Sequence, residues 1–157
     1  MFTIGFRRAL PCSLLVFVLG SGCPMGDPGL GVSGTVELGQ TADASGFVYL
    51  QIRAFQDDDE TWDPTQALPE VEVAFSETRT LSGTGDFPAG YELNSLGTVD
   101  KRRWRVLAWL SSEEGSEAPG SGDWWGTARF SFDGCGSHGG FCDYIEGVDV
   151  TLDARVP

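Results

Sequence analysis

The chain has 157 residues, 41% of them hydrophobic, with 10 Lys and Arg against 23 Asp and Glu and a formal charge of −13. So acidic a surface repels phosphate backbones, which excludes nucleic acid as a partner. The length suits one domain with a single core and is short for two.

At the N-terminus, Arg7-Arg8, the apolar run Leu14 to Leu19 and Gly20-Ser21-Gly22-Cys23 follow one another as basic, apolar and small-residue segments. The apolar run falls short of the about 20 residues a spanning helix needs, so it reads as an export signal. In this order the segment resembles the signal of bacterial lipoproteins. That resemblance implies cleavage before Cys23 and acylation of that cysteine, palmitate included, so that the protein meets the membrane through its lipid anchor. Gly20 stands where that family usually has a branched aliphatic residue, with Leu19 one position further out. The alternatives are an ordinary secretory signal cut after Gly20 or Gly22, giving a secreted product, and a retained anchor. Pro24-Met25 follow the cysteine, so the aspartate that commonly retains lipoproteins in the inner membrane is missing, which by the same resemblance implies the outer membrane of a Gram-negative cell. Residues 1–22 are then the signal peptide, 23–31 a lipid-anchored Gly/Pro-rich tether, and 32–157 the folded domain.

Losing the leader leaves 8 of the 10 basic side chains against all 23 acidic ones, a formal charge of −15. Cys12 leaves with it. Cys135 and Cys142 remain in the body, and two cysteines so close in an oxidising compartment are expected to form one local disulfide around the Gly-rich 136–141 segment. Such a closure is worth about 2 to 3 kcal/mol through the unfolded chain. A metal clip using both thiolates and His138, the single histidine, lacks a fourth ligand for zinc.

Beyond the tether the hydrophobic period is two. Val32, Gly34, Val36 and Leu38 alternate with polar residues in a first strand. Val48, Leu50, Ile52 and Ala54 mark a second, Val71, Val73 and Phe75 a third over 70–76, and Tyr91 and Leu93 a fourth. The fifth, 103–110, puts Trp104, Val106, Ala108 and Leu110 on one side and Leu107 and Trp109 on the other, so it is apolar on much of both faces. Residues 124–132 form a sixth, and Val148, Val150 and Leu152 a seventh. About seven short strands with turn-rich connections and no amphipathic helix predict an all-β, antiparallel two-sheet sandwich.

Long acidic connections lie between the strands. Gln56 to Pro69 carries Asp57-Asp58-Asp59-Glu60 and Trp62, and Ser111 to Asp123 carries Glu113, Glu114, Glu117 and Asp123. Both read as solvated loops. Neighbouring carboxylates on an extended chain point to opposite sides and cannot all face one ion, so no cofactor is expected, with calcium at Glu113, Glu114, Glu117 and Asp123 as the minor reading. Catalysis has little to work with: no serine sits in a Gly-x-Ser-x-Gly turn, and no carboxylate pair is singled out. The expectation is a non-catalytic protein, with a hydrolase the remote alternative. Tryptophans are the remaining handle. Trp124 and Trp125 face opposite sides of one strand, and Trp62, Trp109, Trp124 and Trp125 are candidates for stacking on a sugar or anchoring a partner, against packing over the ends of the sandwich.

Gly31-Val32-Ser33-Gly34-Thr35-Val36, Trp104-Arg105-Val106-Leu107-Ala108-Trp109-Leu110, Asp123-Trp124-Trp125-Gly126 and Gly147-Val148-Asp149-Val150-Thr151-Leu152 together resemble the carboxypeptidase-regulatory-like or transthyretin-like sandwiches of bacterial surface proteins. A generic immunoglobulin-like sandwich is the rival architecture. The resemblance implies calcium loops after the Trp104 strand, but Ser111-Ser112-Glu113-Glu114 lacks their alternating aspartates. Taken together, the expectation is an envelope lipoprotein acting as a structural or protein-interaction module. The alternative is a module that binds envelope polysaccharide or peptide.

Overall fold

A computed structural model describes residues 31–57, 75–94, 102–132 and 144–157. Its order is β1 (Gly31–Leu38), β2 (Tyr49–Gln56), β3 (Phe75–Thr80), a 3-10 turn at Thr84–Asp86, β4 (Ala89–Asn94), β5 (Arg102–Ser111), β6 (Trp124–Phe132), β7 (Tyr144–Ile145), β8 (Val150–Leu152) and β9 (Ala154–Arg155). The fold is an all-β sandwich. A five-stranded sheet runs β3-β2-β5-β6-β9, and a four-stranded sheet runs β4-β1-β7 with β8 also on β1.

Alternation places the core as the sequence predicts. Val32, Val36, Ala89, Tyr91, Leu93, Val150 and Leu152 from the small sheet meet Leu50, Ile52, Ala54, Trp104, Val106, Ala108 and Leu110 from the large one. Trp104 is centred between Phe75 and Phe130, with ring centroids 5.6 and 6.4 Å away. Burial of these side chains is worth about 1.5 to 3 kcal/mol each before entropy is counted.

Two glycines on the core side let the layers meet. A Cβ on Gly34 would lie 2.2 Å from the Val148 carbonyl oxygen, and one on Gly126 would lie 1.9 Å from that of Thr151. Only hydrogen fits there, and β8 consequently packs tightly between β1 and β6.

The topology departs from a purely antiparallel sandwich. β1 pairs parallel with β7 at Gly31↔Tyr144 and with β8 at Val36↔Val150. Between these two patches the ladder is interrupted, and the Asp149 carboxylate takes over, accepting from the Thr35 backbone N–H at 2.9 Å and the Thr35 hydroxyl at 2.8 Å. The chain then passes from β8 in one sheet to β9 in the other, where Ala154 and Arg155 pair with Trp125 and Trp124.

The third strand also differs. Of the residues expected in it, 70–74 lie outside the described part, and the observed strand continues from Phe75 to Thr80 through Ser-Glu-Thr-Arg-Thr. Such a stretch carries no apolar alternation because β3 is an edge, and Glu77 and Arg79, joined by an ion pair, occupy its inward positions. Inward-pointing charges are a known guard against edge-to-edge association.

Candidate functional site

β5 lies at the middle of the large sheet, and both of its faces are buried. Opposite the core side, Arg105, Leu107, Trp109 and Ser111 point outward from the sandwich and yet are 4%, 0%, 0% and 3% exposed. Register brings neighbours to them from both sides: Phe55 and Arg129 flank Arg105, Arg53 and Thr127 flank Leu107, and Gln51 and Trp125 flank Trp109. Phe55, Leu107 and Trp109 make a second apolar cluster with the half-buried Trp125 against it.

One end of this outer face is ionic. Asp57 is buried, and its Oδ2 accepts from Arg105 Nε at 2.9 Å and Nη2 at 2.6 Å, with Arg129 Nε at 3.3 Å. Two guanidiniums on one carboxylate oxygen fix the aspartate in place. Removing either member of such a buried pair is costly, because it takes away a charge that compensates the other.

Toward the other end, the acidic connection after β5 is drawn down onto the sheet. Trp109 Nε1 donates to Ser116 Oγ at 2.9 Å, and the buried Gln51 donates to the Glu113 carbonyl at 3.3 Å while accepting from Thr78 Oγ1 at 2.6 Å. Ser111 Oγ donates to the same carbonyl at 2.9 Å and accepts from the Glu113 N–H at 3.0 Å. The loop is therefore held by its backbone and Ser116, and the Glu113, Glu114 and Glu117 residues stay exposed. Over Trp109 lies Arg53, its guanidinium carbon 5.8 Å from the ring centroid.

The predicted site residues distribute as follows. Trp109 and Trp125 share the outer face, Trp109 fully covered and Trp125 half-buried. Trp124 packs against the main core with Arg155 at 5.7 Å over its ring. Among the described residues the tryptophans thus do not form one exposed aromatic platform. Trp62, Cys23, Cys135 and Cys142 lie outside the described residues. Glu113, Glu114, Glu117 and Asp123 do not converge: among the described residues no group of three or more such side chains is placed to hold an ion. Asp123 instead accepts from the Gly120 N–H at 2.8 Å, and burial pushes its carboxyl above the usual range, against that hydrogen bond and with help from Glu113.

Arg53, Arg105 and Asp57 were not singled out by sequence reasoning. The signal for the arginines was present, since they alternate with the core residues of β2 and β5 and so share a face with Leu107 and Trp109. Asp57 reads in sequence as the start of a solvated acidic run. Its burial follows from its place at the end of β2, where its N–H bonds the Arg103 carbonyl at 2.9 Å and its side chain falls beside Arg105.

The small sheet offers a different surface. A shallow depression of about 490 Å³ is lined by Ser33, Thr35, Arg79, Glu92 and Asp149, with Tyr91 at its base. Burial above all, and then the charge of Asp149, push the Tyr91 hydroxyl up, so it stays protonated and donates to the Val148 carbonyl. Comparison with known proteins finds no matching family model, no matching curated protein and no matching solved structure.

Proposed function

We propose that the protein is an exported envelope lipoprotein, anchored through Cys23, whose sandwich acts without chemistry of its own as a docking module for another envelope protein. The reading joins the N-terminal signal and the resemblance to carboxypeptidase-regulatory-like sandwiches to one observation. That observation is the outer face of the large sheet, where the half-buried Trp125 and Arg53 and the exposed Arg129 lie over the buried layer of Phe55, Leu107 and Trp109. Arginine and tryptophan are the residue types that dominate binding energy at protein interfaces. Trp109 has no open ring face for a pyranose, which favours a protein over a polysaccharide partner.

Two measurements test the two halves of the proposal. Cys23→Ser is expected to stop acylation and move the protein from the membrane to the soluble fraction, and membrane retention without acylation refutes the anchor. Trp125→Ser is expected to lower the size of the native complex extracted in mild detergent, whereas Glu92→Gln on the small sheet leaves it unchanged. If both variants migrate like the wild type, the outer face is not the docking surface.

A further inference from the structure

Among the described residues two arginines lie over tryptophan rings, and they differ in one respect. Arg155 lies over Trp124 with its Nε donating to the Gly122 carbonyl at 3.0 Å. Arg53 lies over Trp109, its guanidinium carbon 5.8 Å from the ring centroid, and among the described residues its guanidinium meets no carboxylate and no hydrogen-bond acceptor. It is half-buried, in a chain with more than two acidic side chains for every basic one. A guanidinium carries five N–H donors in a planar fork suited to a carboxylate, and stacking on an indole holds that plane without using any of the donors.

The neighbours of Arg53 make its position defined and its approach open. Across the β2–β3 pair its register partner is the small, exposed Ser76, and across the β2–β5 pair it is the buried Leu107. The tryptophan beneath is itself fixed by the hydrogen bond to Ser116. Trp109 is therefore a pedestal for a cation, on the outer face of the sheet, where the arginine stays partly exposed.

We propose that Arg53, seated on Trp109, is the anchor for a carboxylate side chain of an acidic polypeptide segment in the docked partner. This rests on the outer face being the docking surface and names the chemistry recognised there. A polypeptide is favoured over an acidic glycan because Trp109 is covered and Trp125 is half-buried against it, so the rings orient the arginine and leave no free platform for a sugar. The net charge of the chain opposes long-range attraction of such a partner, so recognition is local and is best read at equilibrium.

The test uses the full chain in detergent micelles and a fluorescein-labelled oligoglutamate, with oligoglutamine of equal length as the neutral control, read by fluorescence polarisation. Oligoglutamate is expected to bind about ten-fold more tightly, the scale of one charge-assisted hydrogen-bonded contact. Arg53→Gln is expected to abolish that difference and Arg53→Lys to reduce it, since ammonium keeps the charge but not the planar fork. Arg155→Gln is expected to leave it unchanged. Equal affinity for the two peptides, discrimination that survives Arg53→Gln, or tighter binding of oligogalacturonate than of oligoglutamate overturns the proposal. Should Arg53→Gln fail to fold, as judged by near-UV circular dichroism, an unchanged affinity in Arg53→Lys overturns it equally. A chain that loses its native complex on Trp125→Ser but does not discriminate between the peptides keeps the docking surface and loses only the carboxylate.

Discussion

The outer faces of the two sheets start from the same alternation and arrive at opposite characters. On the four-stranded sheet, Ser33, Thr35, Glu37, Gly90, Glu92 and Asn94 face outward, all of them polar or glycine and most of them exposed. On the five-stranded sheet the corresponding positions of β2 and β5 hold Gln51, Phe55, Arg105, Leu107, Trp109 and Ser111, all buried, beside the half-buried Tyr49 and Arg53 and the exposed Arg103, with the buried Asp57 just beyond β2. One solvated face is the ordinary state of an antiparallel sheet. A second buried face therefore needs its own explanation. Phe55, Leu107 and Trp109 and the Asp57–Arg105 pair are closed off from solvent as the core is, so over β5 the large sheet behaves as a wall between two interiors.

That contrast can be broken by substitution. Trp109→Ala is expected to destabilise by about 3 to 5 kcal/mol, the cost of emptying a core tryptophan site, measured by chemical denaturation alongside Trp104→Ala. A cost below about 1 kcal/mol, which is the range of ordinary surface changes, would make the second interior only a surface. Asp57→Ala is expected to cost about 3 kcal/mol, because the buried Arg105 loses a charged partner. The double variant Asp57→Leu with Arg105→Met is expected to recover much of that loss. If the double variant is no better than the single one, the pair is not the source of the penalty.

Smaller effects sharpen the comparison further. Ser116→Ala removes the acceptor of the Trp109 indole N–H and is expected to cost about 1 to 3 kcal/mol, with a red-shifted tryptophan emission as the loop loosens. On the solvated side, the hydrogen bonds from Thr35 hold the Asp149 carboxyl below the usual range, against a small opposing effect of burial. A depressed folded value means that the contribution is present above the ordinary aspartate range and is lost as pH falls through the folded value. Melting temperatures of wild type and Asp149→Asn are therefore expected to differ at neutral pH and to converge in strong acid. A gap that is constant across that acid range would show that the Thr35 clasp does not depend on ionisation.

Much of this was readable in the chain. Period-two alternation located most of the strands, assigned Trp104, Val106, Ala108 and Leu110 to the core and showed β5 to be apolar on much of both faces. Edge and short strands were less legible. β3 carries charge at inward positions, and β7 and β9 have two residues each, too few to show a period. Parallel pairing on β1 has no local signature either, since it depends on which distant segment arrives. For the candidate site, Trp109 and Trp125 were two of the four tryptophans the sequence singled out, but the burial of Trp109 was not legible, because an acidic loop reads as solvated even when its backbone and one serine hold it down. Arg53 and Asp57 were hidden for the same reason: charge in a sequence gives no account of what lies beneath it.

The parallel seam between β1 and β8 has a consequence for the birth of the protein. Thr35 and Asp149, which meet across that seam, are 114 residues apart. β1 must wait for β8, and closure of so long a loop is entropically slow. The small sheet cannot close before the β8 segment arrives. For a chain that has to cross a membrane before it folds, as the proposed export requires, late closure keeps it in a transportable state.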